Sequence, residues 1–154
     1  MGRVVEIETS AIIPSQGCLN EKSLKSIFSM LKNKKRIAPF PVREHPKKKG
    51  IFIALDGHNR CAIDDLFMGE SCVFIASNSK DIITYDELPE EYSFIDWKLL
   101  RDMNENIRWR FNEALRAYES EKIPCSFKKL RGKYSFLGSI KKAEEYFDKR
   151  SMFF

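Results

Sequence analysis

The sequence predicts a mixed α/β (α+β) fold, in which helices are interleaved with the strands of a small mixed sheet and a helical C-terminal region follows. Three observations predict it. Residues 4–9 alternate apolar and polar side chains, as in a strand buried on one face. From Glu21 the apolar residues recur at helical spacing. Residues 51–55 form an apolar run that is too short for an independent helix and typical of a strand covered on both faces.

The first strand is followed by an amphipathic helix. Pro14, Ser15 and Gly17 interrupt the strand pattern before the helix begins. A basic run at residues 32–36 ends the helix, where cations complement the helix dipole. The apolar face of the helix consists of Leu24, Ile27, Phe28 and Leu31.

The strand at residues 51–55 belongs to a predicted hairpin. A preceding strand extends to Glu44, and residues 47–50 form the connecting loop. Pro39 and Pro41 flank the start of that preceding strand, where the missing N–H donors interrupt the ladder.

A second helix and a last strand complete the predicted sheet. Helical spacing resumes after Arg60, and Gly69 is expected to end the helix. Residues 72–76 then form another apolar strand, so that the expected order is strand, helix, strand, strand, helix, strand. The apolar face of the second helix consists of Ala62, Ile63, Leu66 and Phe67.

A change to acidic, turn-rich sequence predicts a boundary near residue 90. We expect residues 1–90 to form the α/β domain and residues 91–154 a helical region. Ser93 and Asp96 resemble a capping box at the start of a long helix, and a shorter helix is expected at about residues 139–149. The apolar stripe of the long helix consists of Trp97, Leu100, Met103, Ile107, Phe111, Ala114, Leu115 and Tyr118.

Composition and charge exclude several classes of protein. The chain has 154 residues, of which 43% are apolar and 12% aromatic, and this content argues against intrinsic disorder. No stretch approaches the roughly 18–20 apolar residues of a membrane span, and the charges within residues 1–10 do not fit a secretory signal. We therefore expect a cytoplasmic protein with no membrane partner. The net charge of +5 is compatible with phosphate-bearing partners, although many ordinary proteins share it.

The cysteines do not predict a metal site. The chain has 4 cysteines and 2 histidines, and no two cysteines have the C-x-x-C spacing of zinc and redox motifs. We therefore expect reduced cysteines that act as small apolar residues.

The most informative stretch joins the strand at residues 51–55 to the second helix. It reads Asp56-Gly57-His58-Asn59-Arg60. A glycine lets the backbone turn, and the free N–H groups of the following helix form an anion site. His58 and Arg60 suit phosphate oxygens, while Asp56 suits a hydroxyl group or a hydrated Mg²⁺ ion.

A purely structural interpretation of the same stretch remains open. In that interpretation Asp56 caps the helix and the glycine makes the turn. His58 and Arg60 would then pair with surface carboxylates such as Glu21 or Glu44. The five residues alone do not decide between an anion site and a structural turn.

The order of elements adds a family resemblance. The string IFIALDGHNRCAIDDLFMG, preceded by IIPSQGCLNEKSLKSIFSMLK and by APFPVR, resembles the ParB/sulfiredoxin superfamily. The resemblance covers roughly residues 4–77. In that superfamily the turn and the following helix N-terminus bind nucleotide phosphates. The resemblance therefore implies a nucleotide-binding domain whose cofactor-binding residues are Gly57, His58, Asn59, Arg60 and Cys61.

Three branches of the superfamily differ at this turn. Sulfiredoxins carry a catalytic cysteine directly after the glycine, where this chain has His58. Cys61 lies beyond Arg60 on the first helical turn, so we do not expect reduction of sulfinic acid. ParB partition proteins have Gly-Glu-Arg-Arg and bind CTP. The free serine kinase branch has Asp-Gly-His-His-Arg, which differs from this chain at one position.

The kinase-like resemblance implies ATP or another nucleotide with Mg²⁺, and either NTP hydrolysis or phosphoryl transfer to a small hydroxyl acceptor. Asp56 would hold the metal or the acceptor hydroxyl. In the kinases a glutamate after the first strand acts as the base, and the best-aligned position here is Gln16, which cannot accept a proton. Glu21, at the start of the first helix, is the remaining candidate base.

A basic segment near the C-terminus supports a different function. Residues 122–143 contain 7 positive residues and no acidic one, with aromatic residues interleaved. Such a segment suits a nucleic-acid backbone, and the alternative is therefore a DNA-binding ParB-like partition, regulatory or nuclease-type module. The candidate nucleic-acid contacts are Lys128, Lys129, Arg131 and Lys133.

Two further interpretations stay open for the C-terminal half. The basic segment is more simply a solvated connector whose aromatic residues pack under the long helix. The protein could also have lost its nucleotide site and act through the helical half as an interaction partner. The sequence does not identify the nucleotide, the acceptor or the oligomeric state.

Overall fold

The structure, a computed structural model, describes residues 3–33, 37–120 and 122–138. Its centre is a sheet of five strands, which confirms the predicted mixed α/β class. The strands are β1 (Arg3–Glu8), β2 (Ile12–Ile13), β3 (Phe40–Glu44), β4 (Phe52–Ala54) and β5 (Glu70–Ala76).

The sheet combines parallel and antiparallel pairs in the order β1-β5-β3-β4-β2. β1 pairs with β5, and β3 with β4, in the antiparallel sense. β3 pairs with β5, and β2 with β4, in the parallel sense. Because β3 and β4 run in opposite directions, the carboxyl ends of the two parallel pairs lie at opposite ends of the sheet.

Helices cover both faces of the sheet. The helices are α1 (Glu21–Lys32), α2 (His58–Phe67), α3 (Trp97–Glu119) and α4 (Phe127–Arg131), and short 3₁₀ helices occur at Thr9–Ala11, Tyr85–Glu87 and Glu90–Tyr92. The strands pack into two buried clusters, one on each face of the sheet, and in β5 Phe74 packs with the α3 side while Val73 packs with α1, α2 and α4. The inner strands β3, β4 and β5 are covered on both faces, whereas the edge strand β1 exposes Glu6 and Glu8.

Most of the predicted elements are confirmed, with one difference in the α/β half. The strands and helices expected from residues 4–76 are all present, but β2 was not predicted. Its two residues pair with Phe52 and Ile53 of β4, and so short a strand leaves no periodic pattern in the sequence.

The long helix α3 begins later than predicted. Asp96 is its N-cap, since the Asp96 side chain accepts a hydrogen bond from the backbone N–H of Leu99 at 2.9 Å, and the expected capping box at Ser93 is wrong. Trp97 is 60% exposed and lies outside the apolar stripe. The rest of the stripe does face the sheet, where the buried residues are Leu100, Met103, Ile107, Phe111 and Ala114.

The basic segment folds onto the opposite face from the one expected. Its first part is α4, which Ser126 caps and which packs against α2. Phe127 and Leu130 are fully buried there, so the expectation that the aromatic residues pack under α3 is wrong. The predicted helix at residues 139–149 lies outside the described residues.

Both parts of the chain contribute to the same layers of packing. α3 shares a core with Ile53 and Phe74 of the sheet, and α4 shares a core with Ala62 and Val73. The division into residues 1–90 and 91–154 remains a prediction about folding units. Within the described part of the chain, no helix has the length and apolar character needed to cross a membrane.

Candidate functional site

The candidate site lies where β2 and β4 end. Because these neighbours are parallel, the segment of residues 14–20 after β2 and the turn of residues 55–57 after β4 meet at one end of the sheet. A cavity of about 290 Å³, here called the α2 pocket, opens between them. Its walls are formed by Gln16, Ser23, Ile27, Asp56, Gly57, His58, Asn59 and Arg60.

Gly57 determines the backbone geometry of the pocket. It is the N-cap of α2, with φ 72° and ψ 27°, a left-handed conformation that side chains disfavour. A Cβ atom at this position would lie 2.4 Å from Cβ of Phe40, so only glycine fits. The expectation that Asp56 caps α2 is therefore wrong, because the cap is Gly57 and it has no side chain.

The start of α2 consequently presents uncapped N–H groups. The first intrahelical bond is donated by the backbone N–H of Cys61 to the carbonyl of Gly57, at 2.8 Å. The backbone N–H groups of His58, Asn59 and Arg60 have no acceptor among the described residues. The positive end of the α2 dipole therefore lies at the α2 pocket, together with these three free donors.

Arg60 is a cation in the wall of the α2 pocket, and hydrogen bonds hold its side chain in place. Its Nη1 donates to the backbone carbonyls of Pro39 at 3.0 Å and Ala38 at 3.2 Å, and its Nη2 lies 3.4 Å from Oδ2 of Asp56. Burial lowers the pKa of Arg60, and the carboxylates of Asp56 and Asp64 oppose that effect. The Arg60 side chain is 14% exposed and that of Asp56 is 34% exposed, so Asp56 is the more accessible partner.

His58 has an internal role that the sequence did not predict. Its Nε2 accepts a hydrogen bond from the backbone N–H of Ser15 at 2.8 Å, and the residue is only 3% exposed. Burial, reinforced by Arg110 and Arg60, lowers the pKa of His58 to about 3, so the ring is neutral and its proton is on Nδ1. The imidazole therefore holds residues 14–20 in place, and only the backbone N–H of His58 faces a ligand.

Arg110 of α3 completes this network from the other face of the sheet. Its Nη2 lies 3.0 Å from Oγ of Ser15, and that hydroxyl in turn donates to the carbonyl of Ala54 at 2.6 Å. Sequence reasoning missed Ser15 and Arg110, which are 95 residues apart. One signal was available, because Arg110 falls between the buried Ile107 and Ala114 on the apolar face of α3.

Asn59 joins the two helix N-termini at the α2 pocket. Its Oδ1 accepts a hydrogen bond from the backbone N–H of Asn20 at 2.8 Å. The Asn20 side chain caps α1 by accepting from the N–H of Ser23 at 2.8 Å. The side chain of Asn59 is therefore engaged in positioning α1, which places Ser23 in the pocket wall.

Two of the predicted site residues are not in the α2 pocket. Cys61 is fully buried in the core beside α2, and burial raises the pKa of its thiol. Since its backbone N–H is also bonded to Gly57, Cys61 has no group left for a ligand.

Glu21, the candidate base, is not in the wall of the α2 pocket. Its side chain is 57% exposed and lies 3.2 Å from the amine of Lys25. In the structural interpretation, the turn at Gly57 is confirmed, but the pairing with Glu21 or Glu44 is wrong, because Arg60 pairs with Asp56 and His58 accepts from Ser15. Among the described residues, Asp56 is the one carboxylate in the wall of the α2 pocket.

The predicted nucleic-acid residues separate into two groups. Arg131 is engaged internally, with its Nε 2.7 Å from Oδ2 of Asp65 on α2. The amine of Lys133 donates to the carbonyl of Gly17 at 3.2 Å. Lys128 and Lys129 are exposed on α4 and remain the two candidates for contact with a phosphate backbone.

The residues of the α2 pocket fit a Mg²⁺ ion that arrives with phosphates. Mg²⁺ needs only one or two protein carboxylates when phosphate oxygens and water supply its other ligands. Asp56 meets this need, because its Oδ1 accepts no hydrogen bond from the described residues. No cluster of three or more histidine, cysteine, aspartate or glutamate side chains occurs in the same described ranges, so a cage built by protein ligands alone is not seen.

Comparisons with known proteins do not place the chain in a family. No protein-family model matches it, and no curated protein matches it in sequence. The likeness to the ParB/sulfiredoxin superfamily therefore stays a prediction from the motif and the order of elements.

Proposed function

We propose that this protein binds a nucleoside triphosphate, with the phosphates at the N-terminus of α2 and a Mg²⁺ ion at Asp56. One observation carries the proposal: three uncapped N–H groups, those of His58, Asn59 and Arg60, open into the α2 pocket. Oriented backbone donors at a helix N-terminus are suited to phosphate oxygens. The Asp-Gly-His-Asn-Arg motif of a ParB/sulfiredoxin-like domain supports the same ligand.

The size of the α2 pocket favours the phosphate end of the ligand. Its volume of about 290 Å³ is at the low end of the roughly 300–1,000 Å³ typical of ligand pockets. The Gln16 amide and the Ser23 hydroxyl can bind ribose or phosphate oxygens at its rim. We place the triphosphate inside the pocket and the base outside it.

The reaction that follows from this binding mode is NTP hydrolysis or phosphoryl transfer to a small hydroxyl acceptor. Such transfer depends mainly on positioning and on neutralising charge, which the N–H groups, Arg60 and a Mg²⁺ ion supply. A group that orients the attacking hydroxyl must lie in the pocket. Asp56 meets this condition through the Mg²⁺ ion that it would hold, because that ion can orient a bound water or hydroxyl, whereas Glu21 is not in the pocket wall.

The test introduces a negative charge without disturbing the fold. Ser23 is in the third position of α1, where an aspartate is favourable to the helix dipole, so Ser23→Asp should leave the protein folded. The new carboxylate would face the α2 pocket and repel phosphate. Ser26→Asp adds the same charge at an exposed position of α1 outside the pocket and is the matched control.

Thermal unfolding would be followed with ATP, ADP, CTP and GTP, each with Mg²⁺. We expect at least one nucleotide to raise the Tm of the wild-type protein and of Ser26→Asp, but not that of Ser23→Asp. Asp56→Asn should bind nucleotide while losing the additional stabilisation by Mg²⁺. A wild-type Tm that no nucleotide changes would overturn the proposal.

The DNA-binding alternative now rests on Lys128 and Lys129, which are exposed on α4. It predicts a mobility shift of DNA at low salt that the double change Lys128→Gln and Lys129→Gln weakens and that added salt abolishes. No shift at low salt would exclude a direct role of α4 in binding DNA.

A further inference from the structure

A second cavity opens at the opposite end of the sheet from the α2 pocket. It has a volume of about 560 Å³ and lies where the parallel strands β3 and β5 end, beside the hairpin loop and α3. We call it the hairpin pocket. The residues of its wall that matter here are Arg43, Glu44, Lys47, Lys49, Ile75 and Phe111.

Arg43 is a buried cation at the base of the hairpin pocket. It is 9% exposed, and its guanidinium carbon lies 4.0 Å from the centre of the Phe111 ring. Its Nη1 donates to the carbonyl of Phe111 at 3.0 Å, and its Nε donates to the carbonyl of Glu44 at 3.3 Å. The guanidinium is thus held in one orientation by neutral groups.

No described carboxylate neutralises Arg43. Burial is the one cause that lowers its pKa, and no charged neighbour contributes. Its Nη2 donates to no described residue, so the N–H groups on that nitrogen are left for a ligand. Because this nitrogen has no protein acceptor and reaches the hairpin pocket, it can donate charge-assisted hydrogen bonds to an anion bound there.

The remaining charges of the hairpin pocket have the same sign. Lys47 and Lys49 are exposed on the hairpin loop and contribute two more cations. Glu44 is the one carboxylate in the described wall, and its Oε2 is occupied by the N–H of Gly50 at 2.9 Å. Three cations against one anion give a local excess of about two charges, which matches the charge of roughly −1.5 to −2 on a phosphate monoester.

Part of the wall beside these charges is apolar. Phe52, Ile75 and Phe111 form part of the lining, so the hairpin pocket combines a cationic end with a hydrophobic surface. We infer that the hairpin pocket is a binding site for a small phosphate monoester, whose phosphate contacts Arg43, Lys47 and Lys49 and whose apolar or planar part packs on Phe111 and Ile75. This site is separate from the α2 pocket and does not depend on nucleotide binding there.

The test uses phenyl phosphate as the probe, because it joins a dianionic phosphate to an aromatic ring. The ¹⁵N-labelled 154-residue chain would be titrated and followed by the backbone N–H signals of residues 44, 45 and 47–50 and the Nε–H signal of Arg43. The double variant Lys47→Gln and Lys49→Gln removes two cations from exposed positions. Lys48→Gln is the matched control, because Lys48 contacts Tyr118 of α3 and is not in the pocket wall.

We expect phenyl phosphate to shift the hairpin and Arg43 signals in the wild-type protein and in Lys48→Gln. The double variant should bind about tenfold more weakly, since each lysine contributes up to about a fivefold factor at an exposed ion pair. Inorganic phosphate should bind more weakly than phenyl phosphate because it lacks the ring.

Other outcomes would overturn the inference. It fails if phenyl phosphate moves no hairpin signal, or if the signals that move are those of the α2 pocket. It also fails if benzoate binds as tightly as phenyl phosphate, since the site would then not select phosphate. Equal affinity of the double variant and Lys48→Gln would exclude Lys47 and Lys49 from the site.

Discussion

Gly57 combines two constraints in one residue. Its φ of 72° is unfavourable for any side chain, and an added Cβ would also collide with Phe40 at 2.4 Å. A turn of this shape brings the start of α2 directly behind β4, where the N–H groups face the α2 pocket. The glycine is therefore needed for the backbone path as well as for the anion site.

Gly57→Ala should lower the free energy of unfolding by about 3 kcal/mol, the sum of left-handed strain and overpacking. Gly50→Ala is the control, because Gly50 has a φ of 82° and no atom lies within 4 Å of an added Cβ. It should lose only about 1 kcal/mol from strain. Urea unfolding measures both, and equal losses would contradict the collision with Phe40.

Two buried titratable residues on α2 give opposite dependences on pH. His58 has a pKa lowered from 6.5 to about 3, so between these values the unfolded chain binds a proton that the folded chain does not. Its contribution to stability is therefore lost as the pH falls below 6.5. Asp64 is 8% exposed, and burial raises its pKa from 3.8 to about 7. Its contribution is lost as the pH rises from 4 to 7, because only the folded chain holds that proton.

His58→Gln keeps an acceptor for the N–H of Ser15 but does not titrate. In this variant only Asp64 contributes to the pH dependence of stability. Its free energy of unfolding should therefore fall by about 2 kcal/mol as the pH rises from 4.5 to 6.5. Urea unfolding at several pH values measures the slope. A His58→Gln variant whose stability rises with pH over this interval would contradict the raised pKa of the buried Asp64.

Asp64→Asn should show the opposite slope. Its amide can still accept the hydrogen bond that the Ser71 hydroxyl donates to Asp64 at 2.6 Å. The contribution of His58 then remains, and stability should rise with pH over the same interval by about 2 kcal/mol. In the wild-type protein the two contributions largely cancel, so parallel curves for the wild type and both variants would be incompatible with the assigned pKa directions.

At the level of elements, local patterns predicted the parts of the chain that bury a periodic face. α1, α2 and β5 are examples, and each is set by side chains close in sequence. β2 could not be found in this way, because two residues have no period and depend on pairing with Phe52 and Ile53. The N-cap of α3 was misplaced because Ser93 and Asp96 are both good caps, and only packing selects Asp96.

The sequence predicts the part of the candidate site that is formed by neighbouring residues, but not the contacts between distant elements. Residues 56–60 are contiguous and follow a buried strand, so their common location was visible in the sequence. The neutral state of His58 depends on Ser15 and Arg110, which come from distant elements. Likewise, the internal role of Arg131 depends on Asp65, 66 residues away.

Arg131→Gln tests whether α4 is a structural element or a free basic surface. Asp65 is 14% exposed, and losing Arg131 leaves its carboxylate with only the Thr9 hydroxyl, which donates to it at 2.8 Å. We expect the free energy of unfolding to fall by about 1–2 kcal/mol. Lys128→Gln, exposed on the same helix, should change it by less than about 0.5 kcal/mol. Equal effects of the two changes would contradict the docking of α4 through Arg131.

In the whole molecule, the segment of residues 14–20 is held by side chains from much of the chain. α2, α3 and the residues that follow α4 each contribute to it. The C-terminal half therefore shapes a pocket whose motif lies in the N-terminal half. The contacts are made by His58, Asn59, Arg110, Lys133 and Tyr134.

The sheet also separates the two cavities. The α2 pocket lies at the carboxyl ends of β2 and β4, and the hairpin pocket lies at those of β3 and β5. The net charge of +5 does not distinguish them, but the arrangement of donors does. The α2 pocket presents backbone N–H groups and one ion pair, whereas the hairpin pocket presents side-chain cations.

Phosphate binding by the N–H groups at the start of α2 can be measured directly. The ¹⁵N-labelled 154-residue chain would be titrated with ATP, CTP or GTP and Mg²⁺, and the backbone amide shifts would be followed. We expect the largest shifts at His58, Asn59 and Arg60 in the wild type and in Ser26→Asp, and we expect these shifts to vanish in Ser23→Asp. If these three amides do not respond to any nucleotide, or respond equally in Ser23→Asp, phosphate binding at these N–H groups is contradicted.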